Sequence, residues 1–122
     1  MTALLLIHLT VLVAALADRA GASNRDVNRN LLAIARCETG GKLGQNGRPD
    51  WDHRARSEHP GLYYEGALGF LETTWDHYKP RGFPSGAHRA TPKQQLRVGR
   101  ILVRTFGGYS SWPSCSRRLG LR

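Results

Sequence analysis

The sequence predicts a small, mainly α-helical single domain, and three observations carry that prediction. The chain has 122 residues, which suits one domain with a modest core. Three segments repeat apolar residues at the three- and four-residue spacing of an amphipathic helix. No stretch alternates apolar and polar residues convincingly, so we expect at most a minor β element.

The first predicted helix has an apolar face that ends on an acidic residue. This face carries Val27, Leu31, Ile34, Ala35 and Glu38. Gly40 and Gly41 are expected to end the helix in the left-handed conformation. Partial burial at the end of the stripe would raise the pKa of Glu38, as a general acid requires. The alternative is an ordinary glutamate that faces water near a helix end.

Two further helices are predicted after a long polar segment. The segment from Lys42 to Glu65 is rich in Gly, Pro and His without a sustained period, which predicts a long surface loop. Apolar residues of 70–78 then share a helical face, and Pro80 ends that helix. The third helix begins at Thr91-Pro92-Lys93-Gln94, where Thr caps, Pro takes the first helical position and Gln completes a capping box.

The N-terminal segment has the pattern of an export signal. Residues 4–17 form an apolar run of 14 residues, shorter than the roughly 20 that a membrane span needs. Small residues near 15–17 and 20–22 fit signal-peptidase cleavage, although no Lys or Arg precedes the run. We expect a signal peptide over residues 1–22, a domain over residues 23–122 and no stable membrane span. The alternatives are a retained anchor and an apolar first helix.

Cysteine count and charge constrain the compartment and the partners. In an exported chain of this size, two cysteines indicate a disulfide, whereas unpaired thiols would fit a cytosolic protein. The formal charge of +9 favours polyanionic partners, and nucleic acids, anionic membranes and anionic cell-wall polymers all qualify. A basic stripe on the third helix carries Lys93, Arg97, Arg100 and Arg104. Such a stripe is usually a solvated helix face, so we predict no nucleic-acid partner.

Other kinds of site have little support in the sequence. The five histidines show no paired metal-ligand spacing, and two cysteines alone do not make a structural zinc site. The chain lacks a Gly-x-Ser-x-Gly nucleophile elbow, a Walker A loop and a dinucleotide fingerprint. We therefore predict no metal and no cofactor.

Four short blocks stand in order along the chain, with both cysteines in register. They are Cys37-Glu38-Thr39-Gly40-Gly41, Gly66-Ala67-Leu68-Gly69-Phe70 with Thr74-Trp75, Ala90-Thr91-Pro92-Lys93-Gln94-Gln95, and Trp112-Pro113-Ser114-Cys115. They resemble, block by block, the resuscitation-promoting factors, the actinobacterial transglycosylase-like domain of the lysozyme superfamily. The resemblance covers about residues 31 to 119.

The resemblance implies an α+β lysozyme-like fold with a long catalytic helix and a long loop beside the groove. It also implies that Glu38 is the catalytic acid, that Cys37 and Cys115 are bridged, and that the substrate is the glycan strand of peptidoglycan. Trp75 and Trp112 are expected in the core because of the area that a tryptophan buries.

The resemblance further implies substrate contacts from Tyr64, Thr74 and Gln95. Each has a structural alternative: Tyr64 packs, Thr74 faces only its own helix, and Gln95 is an exposed residue of the first helical turn. Two departures stand out. Gly69 stands where the family usually has Gln, and the segment from Gly44 to Gly61 is longer than in the family. We consider three roles for this insertion: an extended groove wall, an extra contact with the cell wall, and a solvated surface loop. The solvated surface loop is the favoured interpretation.

The sequence names no second carboxylate to work with Glu38, so the resemblance favours a transglycosylase route with ring closure. Muramidase hydrolysis is the close alternative. A non-catalytic cationic module for cell-wall binding or signalling is the alternative from a different class. We expect a monomer that is secreted or associated with the cell wall, and the sequence leaves bacterial or phage origin open.

Overall fold

The structure is a computed structural model that describes residues 24–41 and 46–122. The predicted signal peptide, residues 1–22, lies outside the described residues, as does part of the predicted loop, residues 42–45. Helices and one small antiparallel sheet form an α+β domain, which is the fold class that the sequence predicts. None of the helices within the described ranges is long and apolar enough to cross a membrane.

Helix α1 covers residues 24–39 of the described chain. The strands that follow are β1 (Arg54–Arg56), β2 (Tyr63–Glu65) and β3 (Phe70–Leu71). The remaining helices are α2 (Glu72–Tyr78), α3 (Pro92–Phe106) and α4 (Pro113–Arg118), with a short 3-10 helix at Ala87–Arg89 before α3.

The sheet lies within the segment where the sequence predicted only a loop and the start of a helix. Its strands run in the order β1-β2-β3, with Ala55 opposite Tyr64 and Tyr64 opposite Leu71. Strands of two or three residues are too short to display an alternating pattern, which is why the sequence does not reveal them. The predicted second helix begins at Glu72 because Phe70 and Leu71 pair with β2.

The N-terminus of α3 forms as the sequence predicts. The Thr91 side chain accepts a hydrogen bond from the Gln94 N–H, and the Gln94 side chain accepts one from the Thr91 N–H. Pro92 takes the first helical position, and Gly107 ends the helix in the left-handed conformation at a φ of 68°. Both ends of α3 are therefore set by local sequence.

The core joins α1 and α3 to the sheet and to the C-terminal helix. Leu31 and Ile34 of α1 are fully buried against residues that include Leu68, Val98 and Leu102. Trp75 and Trp112 are buried, as predicted, and the indole N–H of Trp112 donates to the Leu68 carbonyl at 2.8 Å.

Side-chain and covalent links hold the helices in place around this core. A disulfide joins Cys37 of α1 to Cys115 of α4 across 78 residues, the pairing that the resemblance implied. In the basic stripe on α3, Lys93, Arg97 and Arg104 are exposed, as expected of a solvated face, and Arg100 is half-buried. Arg100 donates to Asn28 at 2.8 Å, and Arg104 donates to Asn24.

Candidate active site

Glu38 lies in the last turn of α1, and its side chain is half-buried at the wall of a cavity. The cavity has a volume of about 390 Å³. We call it the acid cavity, and its lining includes Glu38, His53, Tyr64, Gly69, Ser111 and Trp112. The apolar stripe of α1 therefore ends, as the sequence indicated, on a carboxyl that is buried on one side and open to a cavity on the other.

The backbone around Glu38 is held by its neighbour Thr39. The buried Thr39 hydroxyl lies 3.0 Å from the carbonyl oxygens of Ala35 and Ala67, and it accepts a hydrogen bond from the Asp50 N–H at 2.9 Å. This one side chain thus joins the end of α1 to the segment before β1 and to the turn between β2 and β3. The position of Glu38 relative to the sheet is fixed as a result.

Gly40 ends α1 for a different reason from the predicted one. Its backbone does not adopt a left-handed conformation. A Cβ at this position would instead lie 2.7 Å from the Arg36 carbonyl oxygen and 2.9 Å from that of Arg48. A side chain at Gly40 would therefore clash with the backbone of α1 at Arg36 and with the following segment at Arg48. This explains a glycine directly after Glu38 and Thr39.

The environment of Glu38 favours its protonated form. Burial raises the pKa of the Glu38 carboxyl, and the positive charge of Arg118 partly opposes that rise. Arg118 ends α4, and the disulfide at Cys115 of the same helix ties α4 to α1 beside Glu38. The disulfide therefore helps to set the charge environment of the acid.

Tyr64 lines the same cavity from strand β2, at a position where it can meet a ligand. Its hydroxyl donates to a Glu58 carboxylate oxygen at 2.7 Å. That hydrogen bond is the main reason why the pKa of Tyr64 is raised and the pKa of Glu58 is lowered. Glu58 belongs to the insertion of residues 44–61, and the sequence carries no spacing signal that pairs it with Tyr64.

The insertion contributes directly to the acid cavity through His53 and Ala55. Nδ1 of His53 lies 3.6 Å from an Asp50 carboxylate oxygen, and the His53 carbonyl accepts from the Gly66 N–H at 2.8 Å. The favoured interpretation of this segment as a solvated surface loop is therefore wrong for the part around His53 and Ala55, whereas residues 58–61 are exposed as that interpretation expects. His53 and Ala55 form part of a groove wall, which was one of the alternatives.

Gly69 leaves open space directly beside the acid. It has a φ of 61°, in the left-handed region, and a Cβ built there would lie 3.8 Å from a Glu38 carboxylate oxygen. A longer side chain, such as the Gln usual in the family, would have to pass this point. The departure at Gly69 therefore changes the wall of the acid cavity next to the reactive group.

A second cavity, of about 400 Å³, continues the first. The two share Tyr64, Gly69, Ser111 and Trp112 as lining residues. The second also includes Thr74, Tyr78 and Phe106, and we call it the aromatic cavity. Glu38, Tyr64 and Thr74 are thus brought to one continuous groove. Ser111 also lines it, and no sequence pattern pointed to this residue.

Gln95, which the resemblance implied as a substrate contact, is not among the residues that line either cavity. Its side chain is fully buried. The carbonyl oxygen accepts from the Ala67 N–H at 2.9 Å, and the amide nitrogen donates to the carbonyls of Trp51 and Ala90 at 2.9 and 3.0 Å. With those partners in place, Gln95 braces the turn behind Glu38 and has a structural role.

The other described carboxylates have positions outside the acid cavity, whose lining includes Glu38 as its one carboxylate. Asp50 faces His53, Glu58 holds Tyr64, and the buried Glu65 pairs with His88. Within residues 24–41 and 46–122, no three His, Cys, Asp or Glu side chains are grouped to hold a metal ion.

Comparison with known proteins identifies the family of this chain. The profile of the family described as transglycosylase-like domain matches residues 25–115. Resuscitation-promoting factor Rpf1 of Corynebacterium glutamicum is 37% identical over 81 residues, covering 59% of this chain and 40% of that protein. Resuscitation-promoting factor RpfA of Mycobacterium tuberculosis is 34% identical over 86 residues, covering 70% of this chain and 18% of that protein.

A third relative, resuscitation-promoting factor RpfD of Mycobacterium tuberculosis, is 36% identical over 84 residues, covering 69% of this chain and 44% of that protein. The chain thus spans less than half the length of these relatives. The match to the family profile includes Glu38, both cysteines and the groove between them. By its match to the family profile over residues 25–115, this chain belongs to the transglycosylase-like domain family.

Proposed function

We propose that this protein cleaves the glycan strand of peptidoglycan, with Glu38 as the general acid. The observation that carries the proposal is the half-buried Glu38 carboxyl, whose pKa is raised by burial and which lines an open groove. A carboxylic acid that keeps its proton toward neutral pH is the central requirement for breaking a glycosidic bond.

In the first step Glu38 donates its proton to the oxygen between N-acetylmuramic acid and N-acetylglucosamine. The bond from C1 of the muramic acid to that oxygen breaks, and the other sugar leaves with a new hydroxyl. The oxocarbenium-like centre at C1 is then attacked from within the sugar or by water. Glu38, now ionised, takes the proton of the attacking hydroxyl and returns to its starting state.

The attacking group decides the product. If the C6 hydroxyl of the same sugar attacks, an anhydro ring closes; if water attacks, a reducing end forms. Hydrolysis normally uses a pair of carboxylates, and Glu38 is the one carboxylate among the residues that line the acid cavity. This supports ring closure as the main route.

The experiment is digestion of purified cell walls by the full chain, followed by mass spectrometry of the released muropeptides. We expect soluble fragments with anhydro-muramic ends. Fragments with reducing ends alone would overturn the ring-closure route and leave Glu38 as the acid of a muramidase. Walls that sediment intact with the protein bound would overturn the enzymatic proposal.

The charge supports the second candidate, a cationic module that binds walls without cleaving them. A formal charge of +9 attracts anionic wall polymers whether or not catalysis follows. A binder held by charge alone would dissociate from the wall as the salt concentration is raised, and it would release no wall fragments at low salt.

We place the protein outside the cell or on the wall, after cleavage of the signal peptide following residue 22. N-terminal sequencing of the exported form would test both export and the cleavage position.

A further inference from the structure

An aromatic pair, Phe106 exposed and Tyr78 half-buried, lies in the part of the groove away from Glu38. Phe106, the last residue of α3, is 53% exposed. Its ring meets the ring of Tyr78 edge to face, with 6.0 Å between the ring centroids and 71° between the ring planes. Tyr78 is the last residue of α2. Each ring is therefore held at the end of a rigid helix, and the pair presents a fixed apolar surface.

This pair belongs to the groove and is not an isolated surface residue. Both rings line the aromatic cavity, which joins the acid cavity through Tyr64, Gly69, Ser111 and Trp112. A linear polymer with one linkage at Glu38 can therefore continue along the groove to the pair. Single exposed hydrophobic residues are common on proteins, but this one stands where a bound chain would pass.

The lining of the aromatic cavity selects the kind of group that fits it. Its residues are apolar, aromatic or hydroxylated, and none of those that line it carries a charged side chain. A sugar ring offers a C–H face to an aromatic surface, and it offers hydroxyl and N-acetyl groups to side chains such as Thr74 and Ser111. The charged groups of a peptide stem would find no ionic partner in this lining.

We propose that Phe106 and Tyr78 form a stacking subsite for an N-acetylated sugar ring of the bound glycan. This ring lies further along the strand than the bond that is cleaved at Glu38. The inference rests on the proposed function and names the part of the substrate that this end of the groove holds. Because neither ring lines the acid cavity, the subsite contributes to binding of long strands and takes no part in the chemistry at Glu38.

The test is isothermal titration calorimetry, with oligomers of two to six N-acetylglucosamine units titrated into the full chain carrying Glu38→Gln, which prevents cleavage during the measurement. We expect the affinity to increase with length until the subsite is filled. Adding Phe106→Ala should weaken binding of the longest oligomer by about tenfold, the loss expected for one aromatic contact. Binding of the shortest oligomer should stay unchanged, and Phe106→Trp should preserve the affinity for the whole series.

Leu119→Ala is the matched control, because Leu119 is also an exposed large hydrophobic residue, at 41%, and lines neither cavity. Equal affinities of the Phe106→Ala variant and its parent across the series would overturn the subsite. So would a defect that appears only with strands that carry peptide stems. Failure of the wild-type chain to cleave walls would instead overturn the proposed function.

Discussion

At the residue scale, the chemistry of this protein centres on one carboxyl in a mixed environment. Burial raises the pKa of Glu38 while Arg118 lowers it, so the acid is tuned by opposing effects from two helices. A general acid works only while it is protonated, and its activity falls as the pH rises through its pKa. The alkaline limb of the pH profile should therefore report on Glu38 and respond to its neighbours.

Arg118→Gln removes the charge that lowers the pKa of Glu38. The pKa should then rise further, and the fall in kcat/KM on the alkaline side should move to higher pH. Arg117→Gln is the control, since the Arg117 side chain bonds the Pro113 carbonyl and does not perturb Glu38. Cleavage of a soluble glycan, followed as a function of pH, gives the comparison. An alkaline limb that stays in place or moves to lower pH in Arg118→Gln would count against Glu38 as the acid.

At the scale of elements, the turn between β2 and β3 depends on Gln95 of α3. The three hydrogen bonds of its side chain satisfy backbone groups of Ala67, Trp51 and Ala90. These groups lie on three separate segments, and Ala67 also meets the hydroxyl of Thr39. The same network therefore holds the fold together and positions the residue next to Glu38.

Gln95→Ala should lower the free energy of unfolding by about 3 to 5 kcal/mol, because it leaves buried polar groups unpaired and opens a cavity. Gln94→Ala, which removes half of the neighbouring capping box, should cost about 1 kcal/mol. Urea denaturation of both variants measures the difference. A small loss of stability in Gln95→Ala, together with weaker glycan binding, would return Gln95 to the role of a substrate contact.

The elements also divide into those that the sequence predicts and those that it does not. The periodicity of α1 and the capping box of α3 are local signals, and both helices form where those signals lie. The β1-β2 hairpin depends on pairing between strands of three residues, which leaves no period to recognise. The sequence does not reveal that Gln95 is buried, because its partners at Trp51, Ala67 and Ala90 meet it only in the folded chain.

At the scale of the whole molecule, the groove lies between parts of the chain that are distant in sequence. Glu38 comes from α1, Tyr64 from the sheet, Thr74 from α2 and Ser111 from the segment before α4. The resemblance to a known family predicted three of these, Glu38, Tyr64 and Thr74, as site residues. The contribution of Ser111 and His53 depends on tertiary packing, which sequence spacing does not encode.

The Cys37–Cys115 disulfide closes a long loop that contains most of these elements. Replacing both cysteines by Ser should lower the free energy of unfolding by about 4 to 5 kcal/mol, from the chain entropy that the bridge removes from the unfolded state. Thermal melts of the double variant, and of the wild type with and without a thiol reductant, provide the measurement. The reduced wild type should match the double variant. Equal stability of oxidised and reduced protein would show that the bridge does not hold the groove.

The most direct test of the account is the rate at which Glu38→Gln releases muropeptides from purified walls. The raised pKa of Glu38 means that the fold favours the protonated carboxyl and is less stable once the pH exceeds that pKa. A neutral Gln should therefore melt at or above the wild-type temperature near neutral pH. We predict a loss of activity of about a thousandfold in a folded variant. A folded Glu38→Gln protein with a rate within about tenfold of the wild type would contradict the assignment of Glu38 as the general acid.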